Sequence, residues 1–102
     1  MDSRISDSLS RLKEKYKADG FIVLGVFGSY ARGEETDASD IDILYALSDV
    51  FYEKYPGWKA ATAILQIKED FEKTLGKKVD VTDKDALREV GKKFILPETQ
   101  YV

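Results

Sequence analysis

The sequence predicts a small α/β fold, a sheet with helices packed against it, and three observations carry that prediction. Apolar residues recur at helical spacing near the amino end and again beyond residue 58. Short apolar, β-branched runs bounded by glycines or acidic residues lie between them. No internal repeat, low-complexity tract or linker breaks the order helix, strand, short helix, strand, helix, strand, helix, so residues 1–102 are expected to form one domain.

Each element has its own signal. Ile5, Leu9, Leu12 and Tyr16 follow one another at intervals of four, three and four, which predicts an amphipathic helix over about 3–18 that ends before Gly20. Phe21–Phe27 (FIVLGVF) reads as a buried strand, followed at once by Gly28 and Ser29. The polar stretch 33–39 is turn-forming, and Asp40–Tyr45 then alternates acid with aliphatic, as a strand with one acidic edge does. Phe51, Tyr52 and Tyr55 precede a Pro-Gly turn without clean periodicity, as either a helix end folded onto the domain or an apolar patch for a partner. Trp58, Ala61, Leu65, Phe71 and Leu75 are expected to form the core face of a long helix stopped at Gly76. Lys78–Thr82 makes a third strand. Thr82 and Asp85 have the spacing of a capping box, opening a last helix with Leu87, Val90 and Phe94 that Pro97 halts.

Composition narrows the chemistry. With neither cysteine nor histidine, disulfides, zinc sites of the usual kind, iron-sulfur clusters and histidine-based nucleophilic machinery are excluded, and proton transfer falls to Asp, Glu, Lys or Tyr. Sixteen basic against nineteen acidic residues, net charge −3, leave no basic footprint for extended nucleic acid. No apolar run approaches a membrane span and the first residues lack the pattern of a secretion signal, so neither a membrane partner nor export is expected, and the address is expected to be cytoplasmic.

The chemistry concentrates in Gly28-Ser29, then ten intervening residues, then Asp40-Ile41-Asp42, with Asp80 between Val79 and Val81 on the third strand. Residues two apart in a strand share a face, so Asp40 and Asp42 present two carboxylates side by side while Ile41 and Ile43 turn away. Such neighbours repel, and a third carboxylate from an adjacent strand calls for a compensating charge. A hard divalent ion supplies it, Mg²⁺ above all, since it binds through one or two carboxylates plus substrate phosphates. A strand running through a glycine turn into a helix start aims backbone N–H groups and the Ser29 hydroxyl at an anion. Arg32, one helical turn on, can neutralise phosphate charge or buttress an aspartate.

Residues 28–44, GSYARGEETDASDIDIL, resemble the signature of the minimal nucleotidyltransferase family within the DNA polymerase beta superfamily, and KVDVTD at 78–83 is similar to that family's third-aspartate strand. Size and element order fit from about residue 5 to the end. The resemblance implies a small mixed sheet with helices on one side, and transfer of a nucleoside monophosphate to an acceptor hydroxyl with release of pyrophosphate. It implies that Gly28 and Ser29 hold the triphosphate and that Asp40 and Asp42 bind two Mg²⁺. Asp80 would join the catalytic metal and help deprotonate the acceptor. ATP as substrate rests on the resemblance alone.

Stand-alone members this short resemble the antitoxin partners of HEPN-family toxins, ribonucleases silenced by transfer of AMP to a tyrosine. A domain of this size has little room for an acceptor lobe, so a partner protein that brings its own acceptor fits. Two alternatives stand beside this reading. One is a non-catalytic module that neutralises a partner by covering it, and the other is nucleotidylation of a small molecule such as an antibiotic. The apolar tail from Phe94 to Val102 suits a protein interface, with self-association as one use of it.

Overall fold

The computed structural model describes residues 2–102. Helix α1 (Ser3–Lys17) is capped by Asp2, whose carboxylate accepts the Arg4 N–H at 2.7 Å. Then come β1 (Phe21–Phe27), the single turn α2 (Ser29–Arg32), β2 (Ile41–Leu47), α3 (Asp49–Lys54) and α4 (Lys59–Leu75). Strand β3 (Val79–Asp83), a 3-10 turn (Lys84–Ala86), α5 (Glu89–Glu98) and β4 (Gln100–Tyr101) complete the chain. The sheet has the order β3-β2-β1-β4 and is mixed: β1 pairs antiparallel with β2 and β4, and β2 parallel with β3.

Alternation along the strands decides where the core lies. Phe21, Val23, Ile41, Ile43, Tyr45 and Val79 meet Leu9 and Leu12 of α1 and Ala63, Ile67, Phe71 and Leu75 of α4 in one buried cluster. Its densest part is aromatic. Phe21 stacks on Tyr45 with ring centroids 4.6 Å apart and meets Phe71 edge-on at 6.1 Å, while Phe51 of α3 closes the group at 6.5 Å from Phe21. Tyr16 lies against Phe71, and its hydroxyl donates to Asp70, tying α1 to α4. Asp70 also accepts Lys15 Nζ at 2.7 Å, and these two donors hold its carboxyl below the ordinary range.

Several expectations are corrected. The buried stripe of α4 is Ala63, Ile67, Phe71 and Leu75, whereas Trp58 is 78% exposed, Leu65 60% exposed and Ala61 exposed. Residues two apart on a helix stand about 200° apart around the axis, so 61 and 65 cannot share the face of 63 and 67. Phe51 is fully buried while Tyr52 of the same helix is exposed, so α3 folds onto the domain and still shows an aromatic ring to solvent. Thr82 opens no capping box. The Asp83 carboxylate instead accepts the Asp85 N–H at 2.9 Å and caps the 3-10 turn, and α5 begins only at Glu89, beyond Leu87. That helix runs through Pro97 to Glu98, where the missing Pro97 N–H and the crowding of its ring disturb only the last turn, with a single helical residue left to follow. Val90 and Phe94 point to solvent.

Candidate functional site

Three chain segments converge at the end of the sheet opposite the aromatic cluster. Strand β1 finishes at Phe27, which pairs with Asp42, and Asp42 in turn pairs with Asp80 across the parallel β2–β3 ladder. Ile41 and Ile43 are fully buried, so Asp42 projects from the opposite face of β2. Val79 is likewise buried, and Asp80 is exposed on the same side as Asp42. Asp40 stands one residue ahead of the strand, exposed, and joins the other two from its edge.

Local bonds fix these positions. Within the loop before β2, the Thr36 N–H donates to Ser39 Oγ at 2.8 Å and the Ser39 N–H to Thr36 O at 3.0 Å, which delivers Asp40 to the strand start. The Ile41 N–H donates to Lys78 O at 3.0 Å, and the Val79 N–H to Glu72 Oε2 of α4 at 3.1 Å. Together they set the register that brings Asp80 beside Asp42.

Gly28 is required twice over. Its φ of +72° with ψ of −150° belongs to a region that side-chain-bearing residues rarely adopt, and a Cβ built there would run into Asp42 Oδ2. The Gly28 carbonyl accepts the Arg32 N–H at 3.1 Å and so closes α2, which places Ser29 at the first helical position and Arg32 at the last.

The electrostatics are those of crowded negative charge. Burial first, then Asp80, Asp40 and Glu98, push the Asp42 carboxyl above its ordinary value, and Arg32 offsets only part of this. Glu98 is the residue that sequence reasoning missed. It reaches over from α5, where its Oε1 accepts the Gly28 N–H at 3.0 Å and its Oε2 accepts Arg32 Nη1 at 3.1 Å. Arg32 Nε donates to Glu34 at 3.0 Å, so the guanidinium braces two glutamates rather than an aspartate. These two partners, Glu34 foremost, hold its proton more tightly than usual.

A hard cation fits this arrangement on the chemistry of its donors. All are carboxylate oxygens, and Asp42 stands among the like charges of Asp80 and Asp40, which a divalent ion would offset. Among the described residues no group of three or more acids is gathered closely enough to hold a metal ion by itself. Mg²⁺ takes only one or two carboxylates and completes its shell from substrate phosphates and water. Among the same residues no helix is long and apolar enough to cross a membrane.

Comparison with known proteins gives the family. Residues 5–102 match the nucleotidyltransferase domain family. The protein adenylyltransferase MntA of Thermococcus cleftensis is 33% identical over 102 residues, covering 100% of this chain and 92% of the relative. A protein of Methanocaldococcus jannaschii assigned as a protein adenylyltransferase is 40% identical over 92 residues, 89% of this chain and 83% of the relative. Among solved structures, one assigned as a minimal nucleotidyltransferase superposes with a TM-score of 0.70 at 26% identity, covering 98% of this chain and 90% of the other. A chain from the crystal structure of a toxin-antitoxin with AMP-PNP shares the fold, with a TM-score of 0.71 at 19% identity over 93% of this chain and 69% of its own. The mixed sheet, its acidic end and a match along nearly the whole length lead to one assignment: this chain belongs to the nucleotidyltransferase domain family, as one of its minimal members.

Proposed function

We propose that this chain, acting as a single domain in the cytoplasm, is a metal-dependent protein adenylyltransferase. It transfers AMP from ATP to a tyrosine hydroxyl of a cognate HEPN ribonuclease toxin and so serves as its antitoxin. The observation that carries this reading is the cross-strand register of Asp42 with Asp80, beside a glycine turn that only Gly28 can make. The relatives named as protein adenylyltransferases support the choice of nucleotide and of a protein acceptor, and the neighbour from a toxin-antitoxin structure supports the kind of partner.

In the reaction the acceptor oxygen attacks the α-phosphorus, the bond from that phosphorus to the oxygen bridging to the β-phosphate breaks, and pyrophosphate leaves. Asp40 and Asp42 would hold the two Mg²⁺, with Asp80 on the catalytic one. Bound there, the ions would lower the cost of charge building on the attacking and leaving oxygens. Gly28 N–H and the Ser29 hydroxyl bind the triphosphate, and Arg32 neutralises part of its charge. The Asp80 carboxylate, exposed at the open side, helps take the proton of the incoming hydroxyl. That openness suits a large acceptor, because a folded partner can present its own tyrosine to the shelf.

The test is incubation with the protein encoded beside it, ATP and Mg²⁺, followed by intact-mass spectrometry of both chains. The expected result is one or more added AMP groups on the neighbour, lost with Asp80→Asn. A neighbour that stays unmodified yet co-purifies and is silenced one-to-one without nucleotide overturns catalysis in favour of a stoichiometric blocker. Transfer to an aminoglycoside or lincosamide by the isolated protein would overturn the choice of acceptor.

A further inference from the structure

The carboxylate of Glu98 occupies the donors that an incoming phosphate would need. Its two oxygens are shared between the Gly28 N–H and the Arg32 guanidinium, at 3.0 and 3.1 Å. This is how a carboxylate stands in for a phosphate: one oxygen on a turn amide, the other on an arginine. A purely structural tie is poorly served here, since Glu98 adds a further negative charge to a site where Asp42 already faces Asp80 and Asp40. The helix that carries it is lightly anchored. No residue of α5 is fully buried, Val90 and Phe94 face solvent, and the firm attachment follows the helix, at buried Thr99 and the two-residue strand β4.

We propose that Glu98 is an intramolecular phosphate mimic, a latch that holds the triphosphate cradle closed until nucleotide displaces it. Binding of a nucleoside triphosphate is thereby coupled to release of the carboxyl end of α5 from the Gly28 turn. The inference rests on the reading of Gly28 to Arg32 as the triphosphate cradle. Displacement exchanges one anion for another on the same donors, so the latch weakens nucleotide binding without blocking it.

The experiment compares the full chain with Glu98→Gln and Glu98→Ala, using AMP-PNP with Mg²⁺ and, separately, AMP as probes in titration calorimetry. Both variants should bind AMP-PNP roughly two- to fivefold more tightly than wild type, the range expected for removing a partly exposed charge pair that competes with ligand. AMP affinity should move less than about twofold, because AMP has no β- or γ-phosphate to compete for the cradle. Unchanged or weaker AMP-PNP binding in both variants, with wild type binding normally, overturns the latch and leaves the cradle standing. Failure of all three proteins to bind AMP-PNP overturns the cradle and the latch with it. Should the variants fail to fold, the wild-type Gly28 amide resonance decides. It should shift as AMP-PNP saturates the protein, and a stationary resonance at saturation overturns the proposal.

Discussion

Strands β1 and β2 run between two ends built on opposite principles. At one end Phe21 pairs with Leu47 and packs among Tyr45, Phe51 and Phe71, with every ring seated against another. At the other, Phe27 pairs with Asp42, which faces Asp80 and a glycine turn with no room for a side chain. The aromatic end is where burial stabilises the domain, and the acidic end is where like charges strain it. The difference teaches that a minimal fold can keep its stabilising contacts and a cluster of like charges on the same two strands, separated only by position along them.

Removing Phe51 should break the comparison at its stable end. Phe51→Ala deletes a fully buried ring and should cost about 3–5 kcal/mol in urea denaturation, a large share of a small domain's stability. Asp42→Asn should do the reverse. AMP transfer should fall by about a hundredfold to a thousandfold in a mass-spectrometric rate assay. In chelator-containing buffer its melting temperature should nevertheless hold or rise by about 2–4 °C, because the charge removed is half-buried among like charges and solvent already screens part of the repulsion. A marked drop in melting temperature would show that the acidic end supports the fold after all.

Smaller effects sharpen the picture at the α1–α4 seam. Tyr16→Phe keeps the ring packing and deletes the bond to Asp70, for an expected loss of about 0.5–1.5 kcal/mol. Lys15 and Tyr16 lower the Asp70 carboxyl in the folded state, so its contribution is full above the ordinary carboxylate value and is lost as pH falls through the depressed one. Asp70→Asn should therefore flatten the acid limb of a melting-temperature profile and leave the acid behaviour of the opposite end unaltered. An acid limb of unchanged steepness would remove Asp70 from the account.

Legibility followed range. Strands β1 and β2 and the cluster Gly28, Ser29, Asp40 and Asp42 could be read because alternation and a glycine turn are local signals, carried by neighbours in the chain. Asp80 was legible between two valines, though only the parallel register shows that it meets Asp42. The buried face of α4 is hidden in the sequence because bulky Trp58 and Leu65 outweigh the smaller Ala63 that marks the true stripe. Glu98 left no trace. It lies 70 residues from Gly28, on a helix whose apolar pattern says nothing about what its last residue touches. Strand β4, two residues long, is too short for any periodicity.

The parallel pairing of β2 with β3 also limits how such a chain can change over time. Slipping β3 by one residue would put Val79 or Val81 opposite Asp42 and turn Asp80 into the core, so the two strand starts tolerate no insertion. The 31 residues from 48 to 78 that join them are tied to the core through Phe51 and the buried stripe of α4, yet their exposed positions are under no such restraint. The outer face of that crossover, exposed Trp58 and Leu65 included, is therefore free to be redecorated while Phe51, the buried stripe of α4 and the strand register stay fixed.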